Sequence, residues 1–464
     1  MKTNLVGKYL IQGALLSAFL CQANSSRADL PIGSALSISP PGSASAVKIT
    51  INDPANHVWI LKGSADLKNW SELEAIKVHN GNFARSLPAD PTNPNIFYRA
   101  LYDPLRQNIF STVTTALNLP VTPFNYAAPA LPPYFLAPVI VDQDNTPANN
   151  PVTDPAATLG RALFYDKRLS TNQSISCSSC HQASHGFADS KKFSVGFNGG
   201  LTGRNSMGLS NARYYLRRAF FWDERAATLE DQVLMPIQNS VEMGMTLTAL
   251  MDRLAAEPYY TNLFKSAFGT TNVTSDRISK SLAQFVRSII SSKSKYDQGI
   301  PVNFSNFTTE ENLGRQIFFG QVGTATCAAC HGTDNFVPGP NINNNGLENP
   351  YVDKGVGALT GLAQDEGLFK VPSLRNIALT APYMHDGRFA TLEEVVEFYN
   401  SGIVNHPNLS PPLRNPPGSP NPGGPKRLNL TPAQKAALVA FLKTLTDTSV
   451  TTDPKFQDPF NYGD

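Results

Sequence analysis

The chain has 464 residues, of which 41% are hydrophobic, and its 38 Lys and Arg residues nearly balance its 36 Asp and Glu residues, for a formal net charge of +2. This balance excludes the broad basic field with which nucleic-acid-binding proteins hold phosphate groups. The length suits two or three domains of ordinary size.

The amino terminus has the pattern of a cleavable signal peptide. Lys2 and Lys8 precede an apolar run over residues 9–20, and small or polar residues follow. The run is shorter than the roughly 20 residues that a membrane-spanning helix requires, and no later apolar stretch is longer. We therefore predict a signal peptide over residues 1–28, no membrane span, and a mature protein that is periplasmic or otherwise exported.

Residues 29–103 are typical of a small β module. The stretches 47–51, 58–61 and 96–101 are rich in β-branched and aromatic residues, and turn-forming residues separate them. We predict a β-sandwich-like module here, whose role the sequence does not reveal. Residues 104–150 carry scattered prolines and are predicted to form a linker.

After residue 150 the pattern becomes helical and is repeated. In the second half, Thr308 with Glu311 and Thr391 with Glu394 form capping boxes before apolar runs that resemble those of the first half. We predict two helical domains with long loops, over residues 151–302 and 303–450. The expected fold is thus mainly α, with a small β module in front.

Four cysteines lie outside the predicted signal peptide, in two pairs that are each followed by histidine. The fifth, Cys21, lies within that peptide, where a lipoprotein anchor is a poor alternative because the preceding residues 18–20 (AFL) match the small-residue pattern of such anchors poorly. The two pairs have the c-type haem attachment pattern, in which two thiols bind the haem vinyl groups and the adjacent imidazole binds the iron. A zinc site is the rival explanation for one such match, but two matches that use all four cysteines favour haem. The expected attachment and proximal residues are Cys177, Cys180, His181, Cys327, Cys330 and His331.

Well over half of the chain resembles the bacterial di-haem cytochrome c peroxidases and MauG. The matching stretches occur in the family's order and are residues 159–165 (LGRALFY), 203–206 (GRNS), 221–226 (FWDERA), 240–243 (SVEM) and 372–387 (PSLRNIALTAPYMHDG). The resemblance implies two covalently bound haem c groups, with the haem at Cys177 and Cys180 as the peroxidatic one.

The resemblance also implies the residues of the peroxide site. Glu242 matches the distal glutamate that moves a proton between the oxygens of peroxide, Gln232 and Pro236 match two pocket residues, and Trp222 matches a tryptophan between the two haems. Classical peroxidases place a histidine that blocks the peroxidatic iron where this chain has Phe197. Phenylalanine cannot bind iron, so we predict a five-coordinate first haem in the oxidised protein.

The sixth ligand of the second haem stays open at the level of sequence. The residue aligned with the MauG tyrosine is Tyr399, and the alternatives are Met384, His385 and His406.

A calcium ion between the domains is a further implication of the resemblance. Asn205, Thr380 and Pro382 match the positions that hold it through oxygen atoms, the ligands that calcium prefers.

Two enzymatic functions and one non-enzymatic function fit these patterns. The first is reduction of hydrogen peroxide to water with electrons from a small exported cytochrome c or cupredoxin. The second is a MauG-like oxidase that uses peroxide-derived high-valent iron to modify a protein or peptide. The third is a pure electron-transfer cytochrome, which requires protein ligands on both sides of each iron. The physiological donor or substrate and the oligomeric state cannot be read from the sequence.

Overall fold

A computed structural model of the protein describes residues 3–7, 35–39, 46–53, 58–77, 82–88, 97–102, 116–325, 327–336 and 342–461. Contacts divide these residues into two compact units, one formed by residues up to 123 together with residue 461, the other by residues 124–460. Among the described residues, strands form most of the regular structure of the first unit, and helices and long loops make up the second. The chain is therefore mainly helical with sheets near its amino terminus.

The described part of the first unit contains seven antiparallel strands. They are β1 Thr3–Gly7, β2 Ala35–Ser39, β3 Ala46–Asn52, β4 Val58–Ser64, β5 Ser71–Lys77, β6 Asn82–Pro88 and β7 Phe97–Tyr102. One sheet has the strand order β1-β7-β4-β5 and the other β2-β3-β6. The strands predicted at 47–51, 58–61 and 96–101 are confirmed as β3, β4 and β7.

The predicted signal peptide lies mostly outside the described residues. Residues 8–28 are not described, and strand β1 at the start of the chain pairs with β7 as an edge strand. Strand β7 also pairs with β4 on its other side, so its place in the sheet does not depend on β1. The signal peptide stays a prediction.

The second unit contains fourteen α-helices within the described residues, many of them a single turn long. They are α1 Pro138–Val141, α2 Asp154–Tyr165, α3 Cys177–Cys180, α4 Leu229–Gln232, α5 Met235–Gln238, α6 Leu247–Ala255, α7 Pro258–Phe268, α8 Ser275–Ser288, α9 Lys295–Gly299, α10 Thr309–Phe318, α11 Gly357–Thr360, α12 Leu392–Glu397, α13 Pro432–Lys443 and α14 Ser449–Thr452. Short 3₁₀ turns connect them, and one π-helical turn, Phe398–Gly402, continues α12.

Two helix crossings of the same construction organise this unit. Helix α2 packs on α8, and α10 packs on α13. A Cβ atom on Gly160 of α2 would lie 1.9 Å from the carbonyl oxygen of Ser281, and one on Gly314 of α10 would lie 1.9 Å from that of Ala437. Each glycine thus lets two helix backbones approach closely, and the repeated plan predicted from the sequence is present in both halves.

Helix caps follow the sequence patterns closely. Thr308 with Glu311 begins α10, and Thr391 with Glu394 begins α12, both as full capping boxes. No helix among the described residues combines the length and apolar character needed to cross a membrane.

Candidate active site and the second cavity

The first cysteine pair lies on a single helical turn with its histidine directly behind it. Helix α3 begins with a capping box made by Ser176, and the His181 amide donates to the Cys177 carbonyl at 2.9 Å. The imidazole Nδ1 of His181 lies 2.9 Å from the Phe187 carbonyl oxygen. Because a carbonyl can only accept, Nδ1 carries the proton and Nε2 keeps its lone pair for a metal. Burial also lowers the pKa of His181, which favours the neutral imidazole.

The second cysteine pair repeats this arrangement on a 3₁₀ turn. The turn spans Cys327–Ala329, and the His331 amide donates to the Cys327 carbonyl at 3.0 Å. Burial lowers the pKa of His331 to about 4, opposed by the backbone of Pro372, so this imidazole is neutral near pH 7. No disulfide joins these four cysteines. A thiol pair beside a neutral imidazole, at the edge of a large cavity, is the donor set that a covalently attached haem requires.

The first cavity, of about 430 Å³, brings together the predicted peroxide-site residues. His181, Gln232, Pro236, Glu242 and Trp222 all line it. Two short helices, α4 and α5, carry the glutamine and the proline, and a turn after α5 carries the glutamate.

Glu242 is held by its main chain and is enclosed by its surroundings. The side-chain oxygen of Asn239 accepts from the amides of Val241 (2.8 Å) and Glu242 (3.1 Å), which fixes the turn. Burial raises the pKa of Glu242, and the charge of Arg225 opposes that shift. A carboxyl group with a raised pKa inside a cavity is suited to both accept and return a proton.

Phe197 lies behind the glutamate and does not line the first cavity. Its amide donates to the Glu242 carbonyl at 3.0 Å. Its ring packs on Gly244, where a Cβ atom would lie 2.5 Å from two ring carbons. Residue 197 therefore buttresses the glutamate turn from outside the cavity.

Trp222 lies on the wall that the two cavities share. Its indole Nε1 donates to the Asn205 carbonyl at 2.8 Å, and its own carbonyl accepts from the Lys370 amide at 2.8 Å. The ring meets His385 edge to face, with 6.5 Å between centroids. Trp222 lines both cavities, so the structure brings it between the two candidate haem sites.

A network of charged side chains supports this shared wall. Arg204 binds both oxygens of Asp353, at 2.6 and 2.8 Å, and reaches Asp223 at 2.6 Å. Asp223 directly follows Trp222 and also pairs with Arg225 at 2.9 Å. Sequence reasoning missed this network because its members come from stretches about 150 residues apart.

The second cavity, of about 240 Å³, contains three of the four candidate sixth ligands. Tyr399, Met384 and His385 line it together with Cys327, Cys330 and His331. His406 does not line it. Instead, the Nδ1 atom of His406 accepts from the Asn408 amide at 3.0 Å, and its ring packs edge to face on Tyr351.

Tyr399 belongs to the π-helical turn that follows α12. Such turns are rare and often occur at functional sites, because the extra residue redirects the side chains. Burial raises the pKa of the Tyr399 phenol, and a hydrogen bond with Asn345 opposes that shift. The amide of Asn345 also lies 3.5 Å from the sulfur of Met384, so two candidate ligands meet at one asparagine.

The three candidate calcium residues line the second cavity as well. The side-chain amide of Asn205 donates to the carbonyls of Lys191 (3.1 Å) and Lys192 (3.3 Å), and the hydroxyl of Thr380 donates to Ile377 at 3.2 Å. Among the described residues, no three His, Cys, Asp or Glu side chains are grouped as a metal site. The calcium assignment thus rests on the resemblance alone.

Comparison with known proteins shows which family the chain resembles. The family model described as di-haem cytochrome c peroxidase matches residues 154–302. The methylamine utilization protein MauG of Methylorubrum extorquens is 34% identical over 301 residues, which cover 64% of this chain and 80% of that protein. The cytochrome c551 peroxidase of Nitrosomonas europaea is 37% identical over 303 residues, which cover 64% and 82%.

Solved structures show the same fold. A crystal structure of a MauG-like protein associated with microbial copper homeostasis matches with a TM-score of 0.61 and 33% identity, covering 72% of this chain and 99% of that one. The di-haem peroxidase BthA from Burkholderia thailandensis matches with a TM-score of 0.54 at 22% identity, which supports the fold alone.

Proposed function

Because the chain belongs to the di-haem cytochrome c peroxidase family, whose members include MauG, we propose that its first cavity reduces hydrogen peroxide to water with electrons that arrive through the second. The chain is an oxidoreductase of the peroxidase type. The observation that carries the proposal is that Glu242 and Gln232 line the same cavity as the neutral imidazole of His181.

The two cavities suit two haem c groups. Cys177 and Cys180 would hold one by thioether bonds, with His181 as its proximal ligand, and Cys327, Cys330 and His331 would hold the other. When bound, the haems supply redox-active iron that binds a small oxidant and exchanges electrons. The surrounding side chains transfer protons and control access to the cavity.

The side chains of the first cavity manage protons and access. Glu242 takes the proton from the peroxide oxygen that lies nearer the haem site. It delivers a proton to the other oxygen, which leaves as water. The amide of Gln232 orients the oxidant by hydrogen bonding, and Pro236 offers an apolar face without an N–H group. The overall reaction consumes one peroxide, two electrons and two protons and yields two waters.

The test is Glu242→Gln, which keeps the shape of the side chain and removes its basicity. General acid–base groups contribute roughly 10²–10⁴-fold, so we expect kcat/KM for peroxide to fall by that factor while haem content is unchanged. Since burial raises the pKa of Glu242, the acid limb of the wild-type pH profile should lie above the usual glutamate value of about 4.3. The exposed Glu310, at the start of α10, provides the matched control, Glu310→Gln. A variant with wild-type kcat/KM would contradict the assigned role.

The second candidate function, a MauG-like oxidase, is favoured by two features. Tyr399 lines the second cavity, and Phe197 offers no imidazole near the first. Steady oxidation of a reduced small cytochrome c or cupredoxin by peroxide supports the peroxidase. A long-lived oxidised state that forms without donor oxidation supports the modification of a protein or peptide.

Several finer assignments complete the proposal. The mature protein is exported after cleavage near residue 28, residues 151–302 and 303–450 each hold one haem, residues 29–103 form a sandwich-like module, and residues 104–150 link it to the haem domains. Tyr399 would bind the iron of the second haem, and Asn205, Thr380 and Pro382 would bind calcium. Purification without detergent and the mass of the mature chain would test export and cleavage. Calcium analysis of the purified protein would test the calcium site.

A further inference from the structure

One charged residue lies on the wall that both cavities share. Of the described residues that line both cavities, only Lys370 carries a charge. Its Nζ atom lies 3.4 Å from the ring centroid of Tyr215 and 4.7 Å from that of Phe220. These two rings line the first cavity and are not among the lining residues of the second, so the ammonium end belongs to the side of the first cavity.

Lys370 differs from the other cations of the first cavity in its partners. Arg204 and Arg225 line that cavity too, and both are paired with carboxylates. The ammonium of Lys370 donates to the Ala219 carbonyl at 3.1 Å, and among the described residues no carboxylate lies within 4 Å of it. An ammonium group has three N–H donors, so this one retains capacity for an anion.

The acidic group whose charge acts on Lys370 is already engaged. Glu224 accepts from the hydroxyl of Tyr215 and from the guanidinium of Arg217, at 2.7 and 2.9 Å for the latter. It acts on Lys370 only through longer-range attraction. A buried cation without a counter-charge is costly, and burial accordingly lowers the pKa of Lys370 to about 7. An anionic group from a ligand placed beside this ammonium would stabilise its charged form.

We propose that Lys370 is a positioning residue that pairs with a propionate carboxylate of the haem in the first cavity, and that its positive charge raises the reduction potential of that haem. The inference rests on the proposed haem sites. A positive charge near iron disfavours the ferric state, which has one more positive charge than the ferrous state. Removing it therefore lowers the potential.

The backbone around Lys370 makes the test clean. The Lys370 amide binds the Trp222 carbonyl, and this bond does not depend on the side chain. Lys370→Gln and Lys370→Met remove the charge, and Lys370→Arg retains it. Lys426 lines only the second cavity, so Lys426→Gln is the matched control for a charge at the other site.

The experiment is a spectroelectrochemical titration of the two haems in the intact holoprotein. We expect Lys370→Gln and Lys370→Met to reduce the one-electron reduction constant of the first haem about tenfold, which corresponds to ~59 mV, and to change the second haem less. Lys370→Arg should stay within about threefold of wild type, and Lys426→Gln should leave the first haem unchanged.

Two outcomes would overturn the proposal: unchanged potentials in both neutral variants, or a shift in Lys370→Arg as large as that in Lys370→Gln. If Lys370→Gln and Lys370→Met fail to load haem, Lys370→Arg decides the question. Haem loading with wild-type potentials in Lys370→Arg supports the role of the charge, and failure of Lys370→Arg to load haem contradicts that role. Failure of the proposed function itself is distinguishable, because the wild-type protein would then contain no covalent haem.

Discussion

The short helix that carries Gln232 is fixed by a buried ion pair, and breaking that pair should weaken both stability and catalysis. Glu230 in α4 accepts from the two terminal nitrogens of Arg287 at 2.6 and 2.9 Å and from the side-chain amide of Asn150 at 2.6 Å. Arg287 lies on α8, and its side chain is only 1% exposed. This ion pair thus joins α4 to α8, which is one of the two helices in the α2–α8 crossing.

The magnitude follows from what Glu230→Gln leaves behind. A glutamine has one acceptor oxygen in place of two, so at least one buried N–H of Arg287 loses its partner, at about 1–3 kcal/mol. The guanidinium also becomes an uncompensated buried charge, which brings the expected loss in the free energy of unfolding to about 3–5 kcal/mol. Displacement of Gln232 by about 1 Å could reduce kcat/KM for peroxide by up to roughly 100-fold.

The sign of the pH dependence is fixed by the direction of the pKa shift. Burial raises the pKa of Glu230, but the hydrogen bonds and charge of Arg287 outweigh burial, and the pKa is lowered overall. Its contribution to stability is therefore present above the unfolded-state value of about 4.3 and is lost as pH falls through the lower folded-state pKa. Glu230→Gln should remove this acid limb.

The assay is denaturant unfolding of the holoprotein, with peroxide kinetics measured in parallel. Glu310→Gln is the control for loss of an exposed carboxylate. The double variant Glu230→Leu with Arg287→Met removes both charges, and apolar replacement of a buried pair is often neutral, so stability should return. A loss below about 1 kcal/mol in Glu230→Gln, or an equal loss in the double variant, would refute the reasoning.

Three further predictions follow from the site and the fold. Because Phe197 cannot bind iron, EPR of the oxidised protein should contain a high-spin signal from the first haem, and purely low-spin spectra would contradict this. Tyr399→Phe should change the spectrum and potential of the second haem. The control Tyr383→Phe, which removes a hydroxyl that donates to the Ile377 carbonyl beside the same cavity, should leave both unchanged. A wild-type spectrum in Tyr399→Phe would reject Tyr399 as a ligand. Gly160→Ala and Gly314→Ala should each cost at least about 1–3 kcal/mol in unfolding experiments, because the added Cβ overlaps a helix backbone, and a neutral result would reject the close crossing.

The parts of the site that could be predicted from the sequence are those specified locally. Each cysteine pair and its histidine lie within one helical turn, and each capping box joins residues three apart. The strands β3, β4 and β7 follow from their own residues in the same way. Local patterns carry enough information because the groups that interact are neighbours along the chain.

The parts that could not be predicted depend on long-range packing. The link from Arg204 to Asp353 joins residues 149 positions apart, and the enclosure of Lys370 brings it against Tyr215, about as far away in sequence. The π-helical turn at Phe398–Gly402 also has no signature in the apolar pattern of α12. Lys370 stands two residues before a stretch that matches the family, and a cation beside that stretch was the one available signal.

The two hydrogen bonds that hold Trp222 have a consequence for how such a protein can diversify. Both use main-chain groups of the neighbouring segments: the Asn205 carbonyl accepts from the indole, and the Lys370 amide donates to the Trp222 carbonyl. Neither bond depends on the side chain at residue 205 or 370, provided that residue 370 is not proline. Substitutions at residues 205 and 370 can therefore change the charge beside Trp222 while both hydrogen bonds are kept. During evolution, the reduction potentials at the two proposed haem sites can thereby change while the position of Trp222 between them is kept.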